Sequence, residues 1–189
     1  MTLFILGAIC YFAIPLWLLA GIGDWYCHRR THIEANSGFK ESLIHSMMLV
    51  EMGIPIGLAL LFEVNALLLL IAVIMWIAHE ATALWDVTYA HTRRYLSPLE
   101  QHIHSFLELL PLLVFMLLAA LHWPQFLALF GAGDEAADFS LQWKRAPLPT
   151  VYLIAVFSSV VMLQIIPYME ELYRCRRAKT SRETVARKI

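Results

Sequence analysis

The segment HEATALWDVTYAHTRRYLSPLEQHIHSFLE, residues 79–108, decides how this chain is interpreted. It joins the end of one very apolar segment to the start of the next. It holds four histidines, four carboxylates and an Arg-Arg pair. Because ionisable groups are costly inside a membrane and usually serve function there, so dense a cluster predicts a functional site.

The composition around this segment is that of an integral membrane protein. The chain has 189 residues, of which 60% are hydrophobic and 15% charged. Apolar runs of about 20 residues have the length that crosses the bilayer as a helix. Hydropathy predicts spans at 3–23, 42–62, 65–86, 104–122 and 149–169. We therefore expect an all-α bundle of about five transmembrane helices, with one domain over residues 1–172 and a basic tail over 173–189.

The connections carry their own signals. Asn65 predicts a very tight turn between the second and third spans. Ser97 and Pro98 are typical of a helix N-cap and first turn, so the fourth helix should begin near 98. The aromatic residues of 123–148 predict a hairpin or short helix in the membrane interface. The basic tail is expected near anionic lipid headgroups.

Lysine and arginine counts predict the topology. With the N-terminus outside and the C-terminus inside, twelve of these residues fall in cytoplasmic segments, whereas only Lys144 and Arg145 fall outside. This positive-inside asymmetry predicts an N-out, C-in protein. We expect it in a bacterial inner (cytoplasmic) membrane, with its site facing the cytoplasm.

In this topology four helix ends meet at the cytoplasmic face, and each carries a carboxylate and a histidine. Three of them place the histidine four residues after the acid, which puts both side chains on one helix face. On the other helix His79 and Asp86 share a face with the small residues Ala83 and Ala90, which favour close helix packing. The predicted metal ligands are Asp24, His28, Glu41, His45, His79, Asp86, Glu100 and His104.

Mixed carboxylate and imidazole ligands favour iron, manganese or zinc. Eight candidate ligands exceed the need of one tetrahedral zinc, so we expect two divalent ions, iron first, with zinc or manganese as alternatives. Three further acids, Glu51, Glu80 and Glu108, lie deeper along their helices. They are the predicted catalytic residues, which would relay protons or orient ligand histidines.

The arrangement resembles the integral membrane di-iron enzymes, the fatty-acid hydroxylases and desaturases, over residues 24–108. The resemblance rests on the four helix ends, on His28-x3-His32 and on His102-x-His104. The His-x2-His-His boxes of that group are absent, and carboxylates stand where it mostly uses histidine. In its ligand types the chain is more similar to soluble carboxylate-bridged di-iron bundles. The resemblance implies a membrane dimetal site and no particular substrate.

Three functions remain open at this point. The first is a dimetal, di-iron oxidoreductase that acts on a lipid or another apolar substrate and takes electrons from an external donor. The second is a zinc-dependent membrane hydrolase, and the third is a non-enzymatic ion transporter or haem carrier. Membrane lipid is an expected partner in each, and nucleic acid is not.

Overall fold

The computed structural model describes residues 1–186, and 79% of the chain is helical. Five helices in this part of the chain are long and apolar enough to cross a membrane. They are α1 (Thr2–Arg30), α2 (Phe39–Leu61), α3 (Ala66–His91), α4 (Pro98–Leu121) and α6 (Thr150–Ala186), with the short helix α5 (Trp123–Ala128) between the last two. The expected all-α chain with five membrane-length helices is confirmed. The N-out, C-in orientation stays a prediction.

Helix ends follow local sequence signals. The side chain of Asn65 accepts a hydrogen bond from Leu68 N (3.3 Å) and so caps α3. The side chain of Ser97 accepts one from Glu100 N (3.2 Å), and Pro98 takes the first position of α4. The tight turn and the N-cap expected from the sequence are therefore both confirmed.

Prolines shape α1 and α6 in the same way. A π-helical segment, Ile9–Ala13 in α1 and Val161–Ile165 in α6, comes just before a proline in each helix. A proline has no backbone N–H and its ring crowds the preceding turn, so the helix widens there instead of breaking.

The long helices pack in neighbouring pairs. Helix α2 packs along α3, α1 packs along α4, and α6 contacts both α1 and α2. The main core cluster joins α1, α2, α4 and α6 through residues such as Trp17, Met52, Val114 and Val156. Since α1 and α3 end where α2 and α4 begin, those four termini lie at one end of the bundle, which we call the cluster end.

The opposite end is closed by the connection over 123–148. Its short helix α5 was expected, and its aromatic residues Trp123, Phe130 and Phe139 are exposed. Trp143 forms a β-bridge with Phe62 and stacks on its ring at 4.2 Å between centroids.

The basic tail begins inside a helix. The stretch Ile166–Ala186 is one continuous α-helix, so no break occurs at residue 173. Arg174 pairs with Glu34, and Arg182 donates to the carbonyl of Ala35 at 2.7 Å, which holds the tail against the α1–α2 connection. Residues 187–189 of the expected tail lie outside the described residues.

Candidate metal centre

A buried group of carboxylates and histidines fills the core at the cluster end. We call it the acid–histidine cluster, and every member is at most 8% exposed. It comprises Asp24 and His28 of α1, Glu41 and His45 of α2, Asp86 of α3, Glu100 and His104 of α4, and Glu171 of α6. All five long helices therefore contribute.

Asp24 lies at the centre of one half of the cluster. Its Oδ1 is 2.9 Å from His104 Nε2 and 3.3 Å from His28 Nε2. Its Oδ2 accepts a hydrogen bond from the hydroxyl of Tyr168 at 3.3 Å. The Nε2 atom of His28 also lies 3.4 Å from Glu100 Oε1. This half thus gathers two imidazoles and two carboxylates around one point.

His45 and Asp86 form the other half. His45 Nε2 lies 3.1 Å from Asp86 Oδ2. The ring of His45 stacks on that of His28 with 4.4 Å between centroids and 10° between planes. The two halves are therefore in direct contact.

Glu171 joins both halves through the other ring nitrogens. Its Oε2 is 3.0 Å from His28 Nδ1, and its Oε1 is 3.4 Å from His45 Nδ1. A carboxylate only accepts hydrogen bonds, so both Nδ1 atoms must carry the proton. This arrangement, with Nδ1–H on a carboxylate and Nε2 left for an ion, is typical of metal-binding histidines.

Arg94, from the connection between α3 and α4, covers the cluster. Its Nη2 donates to Glu41 Oε1 at 2.5 Å and to Glu100 Oε1 at 2.6 Å, and its Nε donates to Glu41 at 3.1 Å. Burial alone would lower the pKa of this guanidinium, but the hydrogen bonds to Glu100 and Glu41 raise it above its ordinary value. Arg94 is therefore a fixed positive charge.

Hydrogen bonding does not account for the Nε2 atoms. Those of His28 and His45 make no hydrogen bond within the described chain, although carboxylate oxygens lie 3.1–3.4 Å away. These oxygens do not lie along the direction in which a hydrogen on Nε2 would point, so they are not aligned for hydrogen bonding. Two ligands bound to one ion at about 2.0–2.2 Å, with an angle of about 90–110° between them, are ~2.8–3.6 Å apart. The spacing is that of ligand atoms that share a cation.

The charges of the cluster agree with this geometry. Its five carboxylates are at most 2% exposed, and Arg94 is the one cationic side chain paired with them in the described structure. With neutral histidines this leaves four negative charges, the charge that two divalent cations would balance. Buried charge of this size must be relieved by protons or by cations.

Two overlapping sets of side chains have ligand atoms within 4.8 Å of one another. One is Asp24, His28, Glu100 and His104, and the other is His28, Glu41 and His45. Asp86 joins the second set through its contact with His45. These residues could hold a metal pair. Glu171 would then support the ligands His28 and His45 through their Nδ1 atoms without binding the metal itself.

A cavity of ≈ 50 Å³ adjoins the cluster on the side of the bundle centre. Its lining combines polar side chains, among them His45, Asp86 and His104, with apolar ones such as Leu49 and Leu107. A volume of about 10–15 Å³ holds one water molecule. The cavity therefore has room for a few small groups next to the candidate metal ligands.

Seven of the eight metal ligands expected from the sequence lie in the acid–histidine cluster. The exception is His79, which belongs to neither ligand set. It lines the far wall of the cavity, with Nδ1 3.8 Å from Glu51 Oε2. His79 sits about 18 Å along α3 from His91, whereas Asp86 is only five residues from that end, which explains the separation.

The three expected catalytic acids are not in the cluster. Glu108 lines the cavity and is half-buried, and Glu51 faces His79 and accepts a hydrogen bond from Thr82 Oγ1 at 2.9 Å. Glu80 is half-buried on α3 and does not line the cavity. Their catalytic roles stay predictions.

Sequence reasoning missed the contribution of α6. Its sequence does hold a usable signal, because Gln164, Tyr168, Glu171 and Cys175 follow one another at helical spacing on one face. All four are buried in the bundle. Because these residues adjoin the basic tail that was expected near lipid headgroups, none of them is among the predicted metal ligands.

Comparison of the chain with protein-family models, curated protein sequences and solved structures found no match. The functional interpretation therefore rests on the residues and geometry of the site.

Proposed function

We propose that this protein is a membrane-embedded dimetal oxidoreductase, di-iron in its active form, that acts on a lipid or another apolar substrate. The observation that carries the proposal is the pairing of unbonded histidine Nε2 atoms with carboxylate oxygens at 3.1–3.4 Å. Hydrogen bonding leaves these atoms unexplained, and a shared cation accounts for their spacing.

The donor set favours iron or manganese. Carboxylates and imidazoles predominate, and no cysteine belongs to either ligand set in residues 1–186. Hard oxygen donors with nitrogen suit these metals, whereas thiolates would favour zinc or copper(I). A bound metal pair supplies redox chemistry that side chains cannot.

The protein's own residues hold and enclose the centre. Glu171 fixes the ring orientation of His28 and His45, and Arg94 anchors Glu41 and Glu100. The hydroxyl of Tyr168 donates to Asp24 and so keeps one carboxylate oxygen in place. These contacts prepare the ligand atoms and keep bulk water away.

The apolar part of the cavity supports an apolar substrate. Its walls include Trp17, Met48, Leu49 and Leu107, and it lies between helices of membrane length. Glu108, also in the wall, is placed to exchange protons with a group inside.

A zinc hydrolase is the second candidate, favoured by one observation. Three members of the set Asp24, His28, Glu100 and His104 would hold a single zinc ion, which leaves one position for water and a free carboxylate to activate it. A haem carrier has less support, because a cavity of ≈ 50 Å³ is far below the roughly 300 Å³ of even a small drug site.

Elemental analysis of the purified full-length protein, with its absorption spectrum, tests the proposal. We expect about two iron atoms per chain, and His45→Ala and His104→Ala should each lose most of the metal. The control is His32→Ala, because that histidine is 75% exposed. One zinc per colourless chain would favour the hydrolase, and a chain that purifies without metal and takes up none would refute a metal centre.

A further inference from the structure

His79 is a second buried polar group, and the metal ligands do not use it. The residue is 4% exposed, and neither ring nitrogen makes a hydrogen bond within residues 1–186. Backbone groups of Met48 and Leu107 lie near the ring, but neither ring nitrogen forms a well-aligned hydrogen bond with them. Because an unpaired buried polar group costs free energy, the ring requires a partner that comes from elsewhere.

Glu51 lies beside one of the two ring nitrogens. Its Oε2 is 3.8 Å from His79 Nδ1, and its Oε1 is held by the hydroxyl of Thr82 at 2.9 Å. A small movement would close the first distance to a hydrogen bond, with Nδ1–H as donor. Nε2 would then be the nitrogen that remains for a ligand.

The surroundings define that ligand. His79 lines the same ≈ 50 Å³ cavity as His45, Asp86 and His104, so a molecule bound to it lies against the acid–histidine cluster. A second cavity of ≈ 40 Å³, apolar in its lining, begins one helical turn away on three helices. On each of these helices a residue that lines the first cavity is one turn from a residue that lines the second. These pairs are Leu49 and Met52 on α2, His79 and Trp76 on α3, and Leu107 and Pro111 on α4.

We propose that Nε2 of His79 accepts a hydrogen bond from the hydroxyl group of an apolar substrate whose adjoining carbon atoms occupy the second cavity. This inference rests on the proposed function, since it defines the substrate of the same site. A carboxylate or phosphate oxygen is disfavoured because Glu51 and Glu108, which are outside the acid–histidine cluster, border the position with negative charge. A plain hydrocarbon would leave the imidazole unpaired.

The test compares two probes that differ in one oxygen, 6-bromo-1-hexanol and 1-bromohexane. Bromine quenches tryptophan fluorescence, and Trp17 and Trp76 line the two cavities. Purified full-length protein in lipid nanodiscs is titrated with each probe, and each result is corrected for partition into protein-free nanodiscs. We expect the hydroxylated probe to bind about tenfold more tightly, the usual effect of one buried hydrogen bond.

Variants assign that preference to His79. His79→Phe keeps a ring of similar shape and should remove the preference, whereas His79→Gln keeps hydrogen-bonding groups and should retain most of it. His122→Phe, at the opposite end of the bundle, is the matched control and should behave as the natural protein does. Metal content should stay unchanged in all three.

Three results would overturn the proposal. The first is an unchanged hydroxyl preference in His79→Phe, and the second is no preference in the natural protein. The third is loss of metal in His79→Phe to the extent seen in His45→Ala, which would make His79 a metal ligand. A failure of the proposed function has a different result: elemental analysis would find no metal in the natural protein.

Discussion

Replacement of Glu171 by glutamine tests how the histidines are held. In the structure its two oxygens face His28 Nδ1 at 3.0 Å and His45 Nδ1 at 3.4 Å, so one carboxylate fixes both rings. A glutamine has nearly the same shape but presents one oxygen and one NH₂ group. The NH₂ group faces an Nδ1–H, and this clash forces one histidine to move its proton to Nε2. That histidine can then no longer bind an ion through Nε2.

The expected loss follows from this geometry. Removal of a carboxylate behind a single metal-binding histidine typically lowers metal affinity 10- to 100-fold. Because Glu171 serves two histidines, we expect the upper end, about 100-fold or ~2.7 kcal/mol. The fold should persist, since the substitution removes no packed atoms.

Metal competition measures the effect. The metal-loaded protein is titrated with a chelator, and retained metal is determined by elemental analysis. Glu170→Gln is the matched control, because this neighbouring carboxylate pairs with Arg29, whose side chain is 52% exposed, and exposed pairs contribute little. Equal chelator resistance in the Glu171 and Glu170 variants would refute the role assigned to Glu171.

Two other substitutions test the frame of the site. Arg94→Leu leaves Glu41 and Glu100 buried without their cation, so we expect a loss of about 3–5 kcal/mol in the free energy of unfolding, measured by denaturant titration in mixed micelles. Arg93→Leu, in the exposed neighbour, is the control, and a similar loss there would contradict the reasoning. Gly21→Ala places a methyl group into the side-chain amide of Gln164, which is buried and would lose its hydrogen bond to the carbonyl of Leu18, so it should cost about 1–3 kcal/mol in the same assay. Gly7→Ala meets open space and should have little effect.

The sequence predicted most of the site because helical spacing and membrane polarity agree at these residues. Asp24 and His28, or Glu100 and His104, are each one turn apart at a helix end, and buried ionisable groups are rare in lipid without a purpose. Two rules applied together therefore selected the inner face. The small residues beside Asp86 supported the same choice, and Ala83 and Ala90 are indeed buried.

Long-range contacts could not be obtained in this way. Glu171 and His28 are separated by 143 residues, and helical periodicity does not say which faces of α6 and α1 meet. Arg94 is one of the twelve lysines and arginines that predict the topology, and its neighbouring sequence does not distinguish it from the exposed Arg93. Its burial follows from the two carboxylates it pairs with, one of them 53 residues away. The separation of His79 from the cluster likewise depends on where the helices cross.

Depth in the bundle explains why most of the charged groups lie near the helix ends and few polar groups lie further in. Apart from Glu171, the acid–histidine cluster lies within about two turns of the helix ends, where the connection that carries Arg94 can reach Glu41 and Glu100. Further in, no connection can deliver a guanidinium, and the cost of unpaired charge rises. The polar groups there are correspondingly sparse: His79 faces Glu51, and Thr82 occupies one oxygen of that acid. The bundle therefore has many charged groups at the cluster end and, deeper in, the single imidazole of His79 without a partner in the described chain. This arrangement is expected when ions bind to the acid–histidine cluster and a neutral molecule binds to His79.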